Sequence, residues 1–103
     1  MPVVRTALIL VSAAILEAGG DALIRRGLQH RPLFLLLGAM GLVGYGVLIN
    51  QSSLDFGRLL GGYITVFFAV SQIVAVLFFR DVLPWQTLVG GTLIVSGGCV
   101  LLI

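Results

Sequence analysis

Glu17, Asp21 and Arg25 are the residues of this chain best placed to do chemistry, because they recur at i, i+4 and i+8. A helix would carry all three in one stripe. Leu16 and Ala18 flank Glu17, inside an apolar stretch that begins at Ala7. An ionised acid at the middle of a membrane helix costs roughly 2.5–3.5 kcal/mol, so such a side chain is expected to face protein or a water-filled cavity. Desolvation favours the neutral acid. A carboxyl in that position can exchange a proton for a cation, which is the elementary step of exchange transport.

Asp21 lies about 6 Å further along the axis. Ionising both acids is costly unless Arg25 or a bound cation compensates. Two readings stay open for it. In one, Asp21 and Arg25 form the mouth of a route whose depth is Glu17. In the other they are an interfacial ion pair that closes the helix end.

The remaining polar residues are fewer and plainer. Arg58 follows Asp55 by one turn and reads as an exposed local pair; Arg80 and Asp81 read as a solvated turn. Tyr63 and Phe67 share a helical face that would suit an organic cation, with Phe67 also serving packing. Phe78, Phe79 and Trp85 fall at segment ends, where aromatic residues form an interfacial belt. His30 stands beside Arg31 in a loop, and Cys99 is the only cysteine, so no intrachain disulfide can form. No nucleophile–base pair, metal-ligand cluster or phosphate loop is present, and the expectation is a protein without enzymatic activity, cofactor or metal.

The elements that must position these residues follow from composition. Of 103 residues, 59% are hydrophobic and 10% charged, with a mean hydropathy of +1.18. Soluble domains are about 25% charged, so lipid is the expected solvent. Four apolar runs, about 3–25, 32–50, 57–79 and 84–103, are separated by Arg25-Arg26-Gly27, by the string from Asn50 to Ser53, and by Arg80-Asp81. Each is close to the ~20 residues that span a ~30 Å core. Continuous apolar runs exclude a β-barrel, and only helices then satisfy the backbone. The expected fold is an all-α, four-transmembrane-helix bundle formed by residues 1–103 as one domain. Short connections make successive helices antiparallel and put both termini on one side. Pro2, Pro32 and Pro84 fall at segment starts, where a missing N–H costs nothing.

The six positive charges are all arginines. Arg25, Arg26, Arg31 and Arg80 fall on one side, Arg5 and Arg58 on the other; this margin of two charges favours basic loops in the cytoplasm, with insertion in both orientations as the alternative. They form no basic stripe for nucleic acid. Arg5 followed by Ala7 to Leu16 has the outline of a signal peptide, but no small-x-small cleavage site follows, and the segment is expected to stay. Gly38, Gly41 and Gly44 lie on nearby faces, and Gly57-x-x-x-Gly61 is a small-xxx-small spacing that lets helices approach closely. Gly90 and Gly97, seven apart, form a stripe expected to pack against a second copy of the chain.

With these residues assembled, the chain resembles the small multidrug resistance family of the drug/metabolite transporter superfamily along nearly its whole length. The resemblance is carried by one deep glutamate in the first of four short helices. It is carried also by Asp81-Val82-Leu83-Pro84-Trp85-Gln86 followed by the glycine-rich run from Gly90 to Gly98. Phe56-Gly57-Arg58-Leu59-Leu60-Gly61-Gly62-Tyr63 is similar in placement to the family's third-helix signature. Gly57 matches; Leu60 stands where tyrosine is usual, Tyr63 where tryptophan is, and Asp55 where proline is common. Gly57-Arg58 and Tyr63 are closer to the YnfA-type branch. The resemblance implies an antiparallel homodimer in the bacterial inner membrane, with two deep glutamates sharing one site for which proton and substrate compete. It carries the glutamate role to Glu17, the aromatic role to Tyr63 and the dimer contact to Gly90 and Gly97; Asp21 has no counterpart.

The functional expectation is a proton-coupled exporter of a small cationic or amphipathic compound. Glu17, Asp21 and Tyr63 form its site, and Arg25, Arg58 and Phe67 are accessory. The alternatives are a non-transporting membrane subunit or heteromeric partner, and a transporter of a lipid-linked or zwitterionic metabolite.

Overall fold

The computed structural model describes residues 2–103, which form four helices: α1 (Pro2–Gln29), α2 (Pro32–Ile49), α3 (Phe56–Phe78) and α4 (Trp85–Leu102). All four are long and apolar enough to cross a membrane, and no strand occurs among the described residues. The chain divides into two compact units, one ending at Ser52 and one from Ser53 to Ile103. Each is a helical hairpin. Large apolar side chains such as Leu8, Val43, Val47, Leu93 and Val100 are exposed along the helices, a surface that hydrocarbon solvates and water would not.

The helix bounds fall within a residue of those the apolar runs predict, save at the end of α1. There the helix continues through Arg25, Arg26 and Gly27 to Gln29. Arginine is a good helix former, so a basic pair does not end a helix. Gly27 is a packing position and not a stop: a Cβ there would lie 2.7 Å from the Leu35 backbone nitrogen of α2. What ends α1 is the approach of Pro32, which disfavours helical backbone at Arg31; Arg31 is extended, at φ −124° and ψ 120°.

The first hairpin is held by backbone contact. A Cβ on Gly38 would sit 2.6 Å from the carbonyl oxygen of Gly20, and one on Gly20 would sit 2.9 Å from that of Gly38. Gly41 faces Leu16 and Gly20, and Gly44 faces Leu16. As positions on α2 rise from 35 to 44, their partners on α1 fall from 27 to 16, which is an antiparallel crossing. Lipid gives two helices no hydrophobic reason to associate, so close van der Waals contact supplies the attraction. The C-terminus of α2 is closed by the Asn50 side-chain amide, which donates to the Gly46 carbonyl at 2.8 Å.

The second hairpin, also antiparallel, seats large side chains in glycine notches: Phe68 against Gly91, Leu101 against Gly61, Leu102 against Gly62, and Thr65 against Gly98. The Thr65 hydroxyl donates across to the Ile94 carbonyl at 3.3 Å. Arg58 does not pair with Asp55 as the sequence suggests. Its Nε donates to the Leu101 carbonyl at 2.7 Å and its terminal nitrogen to the Ile103 backbone oxygen at 3.0 Å. The last carbonyls of a helix lack intrahelical partners and carry partial negative charge, and the guanidinium satisfies two of these acceptors. The turn after α3 puts Arg80 in the left-handed region (φ 55°). The N–H groups of Phe79 and Asp81 both reach the Ala75 carbonyl there.

Thermal melts in detergent test both hairpins. Gly38→Ala destabilises the first hairpin by about 1–3 kcal/mol through overpacking, whereas Gly46→Ala is neutral or stabilising by up to about 1 kcal/mol, because a Cβ at Gly46 meets nothing within 4 Å. Arg58→Gln costs about 1 kcal/mol through loss of the hydrogen bonds to α4, while Asp55→Asn changes stability by less than about 0.5 kcal/mol; equal effects would restore the local pair.

Candidate functional site

Glu17 lies one to two residues beyond the middle of α1, a helix of 28 residues. The extra turn that α1 gains at its C-terminal end brings the carboxyl nearer the centre of the span than a helix ending at Arg25 would. Its side chain is half-buried, while Asp21 and Arg25, one and two turns on, are exposed. The stripe therefore grades from a partly enclosed acid at depth to exposed charges at the helix end. No charged side chain is buried among the described residues, so Glu17 is not sealed in the core of its hairpin.

The surroundings of Glu17 are set by the α1–α2 crossing. Leu16 packs against Gly41 and Gly44 of α2. Glu17 and Tyr45 each follow one residue after these contact positions, so the same register turns them to the same side of the crossing. The Tyr45 hydroxyl lies within Coulombic reach of the Glu17 carboxyl, and the ring is half-buried. Sequence reasoning missed Tyr45. The signal that could have found it was its place next to Gly44, at the end of the glycine series that packs on α1, combined with a hydroxyl in an otherwise apolar helix.

In the second hairpin the structure brings Tyr63 and Phe67 together. Their ring centroids are 5.9 Å apart and the planes are inclined by 34°, a tilted geometry within the favourable range for aromatic pairs. Tyr63 is buried, at 4% exposure, and Phe67 is half-buried. Arg58, expected as an accessory residue, is engaged at the end of α4 instead. Among the described residues no group of three His, Cys, Asp or Glu is placed to hold a metal.

A Cβ added at Gly90 or Gly97 would meet nothing within 4 Å, whereas Gly91 and Gly98, one position on, take up Phe68 and Thr65. One helical step thus separates the glycines used inside the hairpin from those left facing outward. A groove of about 400 Å³ also opens along α3 and α4, walled by Phe68, Gln72, Leu88 and Ser96 among others.

What this arrangement can do chemically is limited and specific. One half-buried carboxyl at mid-span of the first hairpin can hold a proton or a small cation.

Comparison with known proteins places the chain among small membrane proteins. It is 42% identical over 74 residues to a UPF0060 membrane protein of Mycolicibacterium gilvum (strain PYR-GCK), covering 69% of this chain and 68% of the relative. A UPF0060 membrane protein of Rhodococcus erythropolis (strain PR4 / NBRC 100887) is 37% identical over 79 residues, covering 74% and 73%. One from Frankia casuarinae is 42% identical over 74 residues, covering 69% and 67%. No family profile matches the chain, and no solved structure matches it. With identities of this size over two thirds or more of each relative, the chain belongs to the UPF0060 family of membrane proteins.

Proposed function

We propose that this protein is a proton-coupled membrane transporter that exports a small cationic or amphipathic compound. The observation that carries the reading is the half-buried Glu17 carboxyl near the middle of a membrane-length helix. An ionised acid there is costly, and either a proton or a visiting cation relieves that cost. The two compete for one carboxyl, so arrival of the cation on one side displaces the proton, and the proton's return from the other side releases the cation. Coupling needs no further residue than this one.

Tyr63 is buried against Phe67, so of this pair only the half-buried Phe67 is read as open to an organic cation. Asp21 and Arg25, exposed at the end of the Glu17 stripe, are read as the entry to the site. The outward-facing Gly90 and Gly97 are read as the contact with a second copy of the chain, in keeping with their similarity to the dimer stripe of the small multidrug resistance family. The UPF0060 relatives support a small multi-pass membrane protein, and Gly57-Arg58 with Tyr63 are the residues on which we read it as a YnfA-type transporter of the bacterial inner membrane.

Proton release from purified protein on adding a panel of quaternary ammonium and guanidinium compounds tests the reading. At least one of them should displace up to one proton per Glu17. In Glu17→Gln the release disappears, and proton-gradient-driven flux in liposomes falls to background. Tyr45→Phe retains release, because the proton is carried by the Glu17 carboxyl. Release that persists unchanged in Glu17→Gln would overturn the proposal.

A further inference from the structure

The turn between α1 and α2 is the most strongly charged patch of the chain. Between residues 21 and 31, Arg25, Arg26 and Arg31 stand with His30 against a single acid, Asp21. The other connections are balanced in sequence: Asp55 with Arg58, and Arg80 with Asp81. Arg25, Arg26, His30 and Arg31 are all exposed.

The turn is also tightly built. The His30 N–H donates to the Arg26 carbonyl at 2.8 Å, and the Phe34 N–H donates to the Arg31 carbonyl at 3.0 Å. The arginines therefore extend from a backbone pinned on both sides. Arg31 is the N-cap of α2, with no side-chain cap bond and no acidic residue in the first turn of the helix. The N-terminal end of a helix carries partial positive charge and is stabilised by anions. A cation at that point is the wrong sign for the hairpin by itself, and the right sign if an anion lies between it and its neighbours.

Apolar side chains complete the patch. Leu28 is 75% exposed and Leu33 is 56% exposed, so each side of the turn offers apolar surface beside guanidinium groups. At the end of a pair of membrane-length helices, that combination sits at the level where headgroups meet acyl chains. We propose that the α1–α2 turn binds the phosphate headgroup of an anionic phospholipid. Arg25, Arg26 and Arg31 hold the phosphate through charge-assisted hydrogen bonds, and Leu28 and Leu33 lie along the acyl chains. The proposal does not depend on Glu17 or on transport. It goes beyond the orienting effect of basic loops during insertion, because orientation requires no lipid to stay bound.

The test titrates the full-length protein in mixed micelles with phosphatidylglycerol or phosphatidylcholine and counts retained lipid by native mass spectrometry. Each basic residue near an anionic surface contributes about fivefold, so the protein is expected to retain phosphatidylglycerol on the order of 10- to 100-fold better. The triple variant R25Q/R26Q/R31Q loses that preference, whereas R5Q/R80Q keeps it, with helix content checked by circular dichroism in each. A salt series on the unmodified protein provides a second measure that needs no variant: the preference for phosphatidylglycerol collapses as salt is raised. Equal retention of the two lipids, a preference kept by a folded triple variant, or a preference insensitive to salt overturns the proposal. Displacement of phosphatidylglycerol by millimolar inorganic phosphate overturns it as well, since the turn would then be a site for free phosphate.

Discussion

Hydrocarbon gives a polypeptide neither hydrogen-bond partners nor a hydrophobic reason to bring two helices together, and both hairpins answer that constraint. Backbone groups are satisfied within each helix, and association then rests on how closely two helix surfaces can approach. In the first hairpin Gly20 and Gly38 meet almost backbone to backbone, so any side chain at either position would separate the helices. The second hairpin uses a different solution, with Phe68, Thr65, Leu101 and Leu102 filling notches at Gly91, Gly98, Gly61 and Gly62. Two polar contacts reinforce it, the Thr65 hydroxyl on the Ile94 carbonyl and the Arg58 guanidinium on the end of α4.

The glycine crossing has a consequence for chemistry. It sets the register of α1 against α2, and that register turns Tyr45 and Glu17 to the same side of the crossing. A mid-span acid surrounded only by hydrocarbon would be a defect, and Glu17 is instead half-buried at the crossing with exposed charges further along its stripe. The same economy is visible in the arginines. Arg58 neutralises partial negative charge at a helix end, while Arg31 stands at a helix start where its charge has no such use.

Helix α4 shows how one helical step divides two duties. Gly91 and Gly98 are occupied by α3, and Gly90 and Gly97, rotated by about 100°, are left open. A seven-residue glycine repeat is thus legible as a close-packing surface, yet which of two adjacent repeats serves the hairpin depends on how the helices cross.

Sequence by itself determined the class of the protein, the number of its spans and the place of Glu17 along the first of them. These are one-dimensional properties, since apolar length must match bilayer thickness and an acid in such a run is out of place wherever its neighbours lie. The pairing of Tyr63 with Phe67 was readable for the same reason, because residues four apart on a helix meet by construction. The end of α1 was misjudged, since arginines and a glycine look like punctuation until Gly27 is seen packed against Leu35. The placing of Tyr45 on the same side of the crossing as Glu17, and of Arg58 at the end of α4, was decided only by tertiary structure. Both join residues distant in sequence, and a helix rotated by one residue would present a different side chain. That rotation is chosen by the fit of two surfaces and is written in neither helix alone.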